Sequence, residues 1–139
     1  VVASYSNADF GGNILNRILE ERKILYPERL VVNKNIGELL YVNLLRTSFA
    51  MVGNSSSGIF ETQLPKLPVL NIGNRQDGRM RTINIFDCPL EKKSICTSLE
   101  KILDDTVRTG FGDIENLYGD GHTSKKIVEF LKEYTYNYE

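Results

Sequence analysis

Histidine occurs once in the 139 residues, cysteine twice, proline four times and tryptophan not at all, and several of these scarcities close off a class of protein. Two cysteines, Cys88 and Cys96, are too few for a disulfide scaffold and are not spaced as a CxxC metal or redox pair. A reducing, cytoplasmic home is expected. No cluster of His, Cys and acidic residues has metal-ligand spacing, so no metal is implied; no cofactor is expected either. Neither sign of charge dominates: 17 Lys and Arg face 18 Asp and Glu, and a formal net charge of −1 leaves no electrostatic footprint for nucleic acid or an anionic membrane. No apolar run approaches the roughly 18 residues that span a bilayer. The first residues also lack the basic region and apolar core of a secretory signal. Internal repeats and low-complexity tracts are missing too.

What is present is an ordinary globular composition, 41% hydrophobic and 25% charged, in a chain long enough to bury about two-thirds of its unfolded surface. One domain over residues 1–134 is expected, with residues 135–139 as a tail. The opening, Val1-Val2-Ala3-Ser4-Tyr5, has no initiator Met and reads as a strand already under way. The chain is therefore expected to be a piece of a longer protein, without its N-terminal partner domain and first βα unit.

Short apolar runs alternate with stretches of helical period, the pattern of βα units and a parallel sheet. Strands are predicted at residues 1–5, 29–33, 49–52, 68–72 and 83–86. Helical spacing appears in Ile14, Leu15, Ile18 and Leu19, and again in Leu39, Leu40, Val42, Leu44 and Leu45. A short apolar helix with Ile59, Phe60 and Leu64 should be ended by Pro65. One helix is predicted over 94–107 and a last one over 123–134, separated by a Gly-punctuated loop over 110–121. The expected fold is an α/β, Rossmann-like, doubly wound domain with five strands in one parallel sheet.

In such a sheet ligands sit outside the carboxyl ends of the strands. The loop after the third strand, Gly53-Asn54-Ser55-Ser56-Ser57-Gly58, uses only small or hydrogen-bonding residues, so backbone N–H groups and hydroxyls can approach a phosphate. A well-capped helix start needs the same residues. Glu61, three residues after Gly58, suits either a sugar-hydroxyl acceptor beside that cradle or half of a capping box. Arg75, Arg79 and Arg81 bring positive charge from the loop after the fourth strand, where guanidinium groups can pair with phosphate. His122, before the last helix, is either an exposed helix-start residue or a general base, and it has no obvious orienting partner. Gly11-Gly12 after Asp9 makes a plain βα turn or a ligand loop.

Four segments carry a family resemblance: Ser-Asn-Ala-Asp-Phe-Gly-Gly (6–12), Gly-Asn-Ser-Ser-Ser-Gly-Ile-Phe-Glu (53–61), Pro-Val-Leu-Asn-Ile-Gly-Asn-Arg-Gln-Asp-Gly-Arg (68–79) and Tyr-Gly-Asp-Gly (118–121). Together they resemble the C-terminal domain of hydrolysing UDP-N-acetylglucosamine 2-epimerases, in the family's order and roughly its spacing. The likeness is closer to the sialic and nonulosonic acid branch than to the non-hydrolysing enzymes, whose Asp-Ser-Gly-Gly and Thr-Glu-Arg-Pro stretches are absent. It implies the second half of a glycosyltransferase-B-like fold, with UDP-sugar in a cleft between two Rossmann-like halves. It also implies that Ser55 and Ser56 contact the diphosphate, Glu61 the ribose and Arg75 the phosphates, with Asn54 and Gly58 as further residues of the ligand loop. The physical reading of the loops selects the same serines, Glu61 and Arg75.

The family's chemistry is anti elimination of UDP to a 2-acetamidoglucal, then hydration to free ManNAc. Its acids and bases lie mostly in the N-terminal half, so no catalytic residue is assigned in this chain. The partners implied are UDP-GlcNAc or a related UDP-sugar, the N-terminal domain of the same enzyme and, at full length, further copies in a homo-oligomer. Two other functions fit the same residues: a glycosyltransferase-type UDP-sugar module, and an epimerase acting on UDP-diacetylbacillosamine. A non-catalytic nucleotide-binding domain is what the isolated chain would be in practice.

Overall fold

A computed structural model describes residues 1–6 and 11–134. Residues 7–10 of the early loop and the expected tail, 135–139, lie outside the described residues. The chain divides into two compact units, Val1–Leu44 and Leu45–Glu139.

In the first unit, strands β1 (Val2–Ser4) and β2 (Val31–Asn33) pair in parallel, with Ala3 opposite Val32. Parallel neighbours need a crossover, supplied by helix α1 (Gly12–Leu25). The helix starts behind Gly11, whose φ of +84° favours glycine, and ends with Arg22 and Lys23 at its negative pole. Polar contacts tie it to the end of β1: the Tyr5 hydroxyl donates to Glu20 Oε1 at 2.8 Å, and the Ser6 N–H donates to Asn16 Oδ1 at 2.8 Å. The Glu20 carboxylate raises the Tyr5 pKa, first through that hydrogen bond. Helix α2 (Glu38–Thr47) spans the boundary between the units.

The second unit carries the sheet β3 (Met51–Gly53), β4 (Val69–Ile72) and β5 (Ile85–Cys88), all parallel, with β4 in the middle. A central parallel strand is covered on both faces and so reads as a continuous apolar run, which Pro68-Val69-Leu70 begins. Leu70, Cys88 and Ile102 form its buried core. Ile95, Leu99 and Ile102 recur at three and four residues along helix α4 (Lys92–Ile102), and this stripe packs onto the sheet. Against β3 and β4 sits the short helix α3 (Ser57–Phe60), where an added Cβ on Gly58 would come within 3.0 Å of Val69 Cγ1. Helices α5 (Asp105–Thr109) and α6 (Thr123–Glu133) complete the unit.

All five expected strands are present and every described pairing is parallel, as an α/β Rossmann-like domain requires. The pairings form two sheets, β1-β2 and β3-β4-β5, where one five-stranded sheet was expected. Three boundaries also moved for local reasons. The expected helix over 94–107 breaks because Asp104 caps a new one, accepting from the Thr106 N–H at 2.8 Å. The fifth strand starts two residues late because Asn84 turns inward, donating to Leu67 O at 2.8 Å and Thr62 Oγ1 at 3.0 Å. Helix α3 stops at Phe60, well before Pro65, because side chains take its last carbonyls: Thr62 Oγ1 donates to Gly58 O and Gln63 Nε2 to Ile59 O.

Candidate functional site

Because β3 and β4 are parallel neighbours, the loops that follow them leave the same edge of the sheet. Gly53 ends β3 at φ +151°, and Gly73 follows β4 at φ +78°. Both glycines turn the chain sharply where it leaves the strand. The two loops meet at the backbone oxygen of Asn54, which accepts from Arg75 Nη1 at 3.0 Å and from Gln76 Nε2 at 2.6 Å.

Within the Ser-rich loop, Ser55 is exposed and Ser56 half-buried. Ser55 Oγ accepts from the Ser57 N–H at 3.3 Å, and Ser57 Oγ donates to Glu61 Oε2 at 2.5 Å. Glu61 is exposed and stands at the C-terminal cap of α3, not at its third residue, so the capping box with Gly58 does not form. Gly58 itself is buried against Val69, which gives it a packing reason to lack a side chain. Asn54, Ser55, Ser56, Glu61 and Arg75 thus lie on the two adjoining loops and the helix between them.

The three arginines of the second loop separate. Arg81 turns inward: Nε lies 2.7 Å from Asp87 Oδ2, and Nη1 donates to Gln76 O at 3.0 Å and Arg79 O at 2.6 Å. Asp87 in turn accepts from Asn71 Nδ2 at 2.6 Å across the β4-β5 pair. Arg79 lies over the Phe60 ring, 4.8 Å from its centroid. Phe60 meets the Tyr118 ring edge-on at 4.5 Å, and the Tyr118 hydroxyl donates to Met80 O at 2.8 Å. Of the three, Arg75 is the one seated on the Ser-rich loop.

His122 caps α6 and takes part through its backbone, donating its N–H to Asp120 Oδ1 at 2.9 Å. Lys126 Nζ lies 2.8 Å from the other oxygen, Oδ2. The Lys126 bond, then the His122 N–H, hold the Asp120 carboxyl below its ordinary pKa. This arrangement braces a turn and orients no imidazole. Among the described residues no group of three or more His, Cys, Asp or Glu side chains is placed to hold a metal ion. Nor is any described helix long and apolar enough to cross a membrane.

Two residues of the site escaped sequence reasoning. Ser57 carries no signal beyond its place in the Ser-rich loop, except that a Ser four residues before a Glu can pair with it on one helix face. Gln76 sits in a charged loop, where nothing in the sequence separates a buried amide from a solvated one.

Residues 1–132 match the family model described as UDP-N-acetylglucosamine 2-epimerase. The chain belongs to that family. Among its relatives is a UDP-N,N'-diacetylbacillosamine 2-epimerase (hydrolyzing) of Legionella pneumophila, 32% identical over 132 residues, which are 95% of this chain and 33% of the relative. A GDP/UDP-N,N'-diacetylbacillosamine 2-epimerase (hydrolyzing) of Campylobacter jejuni is 40% identical over 87 residues, 63% of this chain and 23% of the relative. The polysialic acid biosynthesis protein P7 of Escherichia coli is 29% identical over 129 residues, 93% of this chain and 32% of that protein. The chain thus spans about a quarter to a third of the length of these curated relatives. Family membership bears out the resemblance drawn from the loops after β1, β3 and β4 and from the turn before α6.

Proposed function

We propose that this chain is the UDP-holding domain of a hydrolysing UDP-sugar 2-epimerase. The observation that carries the reading is the contact of Arg75 Nη1 with Asn54 O, which seats a cation on a loop of serines at the carboxyl edge of a parallel sheet. In this reading the hydroxyls of Ser55 and Ser56 and the N–H groups of their loop donate to the diphosphate. Arg75 supplies positive charge beside it. Glu61 accepts from the ribose hydroxyls. Asn54 contributes its backbone oxygen to hold the loops together, and Gly58 lets α3 lie close to β4.

The reaction is anti elimination, in which a base removes the proton at C2 and the C1–O bond breaks to release UDP, leaving a 2-acetamidoglucal. Water then adds across the double bond to give the free 2-epimeric sugar. Donors on the diphosphate stabilise the charge that develops on the leaving group, which is where this chain contributes. The base and acid belong to an N-terminal Rossmann-like half of the same enzyme, in a cytoplasmic homo-oligomer. UDP-GlcNAc is the first candidate substrate. UDP-diacetylbacillosamine is the second, supported by the names of the Legionella and Campylobacter relatives.

Calorimetry with UDP tests the site. Glu61→Gln keeps the size of the side chain but removes the charged acceptor, and in the full-length enzyme should weaken binding by about 1.5–3 kcal/mol, the range for hydrogen bonds to charged groups. Unchanged affinity would leave Glu61 as the acceptor of Ser57 alone.

A further inference from the structure

Arg75 and Gln76 both donate to Asn54 O, but they do so from different surroundings. Arg75 is exposed, whereas Gln76 is 1% exposed. The backbone oxygen of Gln76 also accepts from Arg81, and Arg81 is held by Asp87 on β5. A chain of contacts therefore runs from the sheet, through Asp87, Arg81 and Gln76, to the backbone of the Ser-rich loop. The Gln76 amide has only one workable orientation, since its oxygen turned toward Asn54 O would set two acceptors 2.6 Å apart. In that orientation Oε1 is buried with no hydrogen-bond partner among the described residues. A buried unsatisfied acceptor is costly, and an apolar side chain of similar volume would avoid the cost. What such a side chain could not supply is the donor to Asn54 O.

We propose that Gln76 is a positioning residue whose buried amide fixes the Ser-rich loop, residues 54–58, in the geometry that receives the nucleotide diphosphate. The proposal rests on the reading of that loop as a UDP site. Its mechanical part can be measured without any ligand.

The test compares wild type, Gln76→Met and Gln76→Glu by amide hydrogen exchange and by calorimetry with UDP. The amides of residues 58–61 bond back into the loop, and those of β4 serve as the internal reference. Gln76→Met should speed exchange at 58–61 about tenfold while β4 is unmoved, and weaken UDP binding about tenfold, or 1.4 kcal/mol. Gln76→Glu should do the same where its carboxyl is ionised, with protection at 58–61, taken relative to an unstructured amide at the same pH, returning as pH falls and the new carboxyl regains a proton to donate to Asn54 O. That pH-dependent recovery is a signature that a volume-filling role would not produce. Unchanged exchange at 58–61 in Gln76→Met, or equal acceleration in β4, would overturn the proposal. So would UDP affinity that Gln76→Met leaves as in wild type, and the nucleotide reading would then stand. Wild type that fails to bind UDP sinks the nucleotide reading and the proposed purpose with it, whatever the exchange data show about the anchor. Should the buried charge of Gln76→Glu prevent folding, the Met variant decides alone.

Discussion

Ser57 Oγ and Glu61 Oε2, one helical turn apart, lie 2.5 Å from each other across the short helix α3. The hydroxyl holds the carboxylate on the loop side of the helix. Ser57→Ala should therefore weaken UDP binding by less than Glu61→Gln does, about 0.5–1.5 kcal/mol, the range of an ordinary hydrogen bond. The double variant should fall short of the sum, because once Glu61 has lost its charge Ser57 has little left to orient. A double-mutant cycle measured by calorimetry checks this; strict additivity would separate the two residues.

Gly58→Ala tests the close approach of α3 to the sheet. The new methyl would meet Val69 Cγ1 at 3.0 Å, closer than carbon atoms comfortably pack. Overpacking of this kind is expected to cost about 1–2 kcal/mol in urea denaturation. Val69→Ala removes the opposing methyls, so Gly58→Ala should cost less in that background than in wild type. An equal cost in both backgrounds would place the strain elsewhere.

The Asp120 carboxyl is held below its ordinary pKa by Lys126 and by the His122 N–H. A lowered pKa means that folding favours the ionised form. The stabilising contribution is complete above the ordinary value of about 4 and is lost as pH falls through the lowered one. Acid should therefore loosen the start of α6, read as a loss of protection of the His122 amide relative to an unstructured amide at the same pH. Lys126→Met should move the carboxyl titration of Asp120, followed by NMR, upward toward its ordinary value. A titration unmoved by that substitution would assign the shift to the His122 N–H.

Elimination of UDP needs a base at C2 and a closed, water-poor cleft, and no such base is assigned to this chain. The isolated chain is expected to give no detectable ManNAc from UDP-GlcNAc, whereas a protein that joins it to an N-terminal Rossmann-like half is expected to release ManNAc. Chromatography of the released sugar, run in parallel with UDP-diacetylbacillosamine, distinguishes the two substrate readings. Turnover by the pure chain would make Asp120 and His122 its candidate acid and base.

The parallel strands were legible in the sequence because each is a short apolar run bounded by Gly, Pro or polar turns; that β4 is the middle strand came only from its pairing with β3 and β5. The Ser-rich loop was legible because a phosphate cradle and a helix start both demand small, hydrogen-bonding residues, and Arg75, Arg79 and Arg81 were legible as cations in the next loop of the same sheet edge, Arg75 being set apart by the family resemblance alone. These are local signals, set by side-chain size, charge and spacing.

Element boundaries and partners depended on contacts between residues far apart in the chain. Asn84 left the fifth strand because it found Thr62 and Leu67, 22 and 17 residues away. Arg81 was spent on Asp87 and on the carbonyls of its own loop, and Arg79 on the Phe60 ring, so three arginines alike in sequence came to differ in what they can do. Gln76 acquired its place only when β3 and β4 paired and set Asn54 O within its reach. The sequence determined which groups were available at the sheet edge, since composition and spacing are properties of the chain. Which of them face the loop and which brace it was decided by packing, because a hydrogen bond at 2.6 Å exists only after the fold has brought its two ends together.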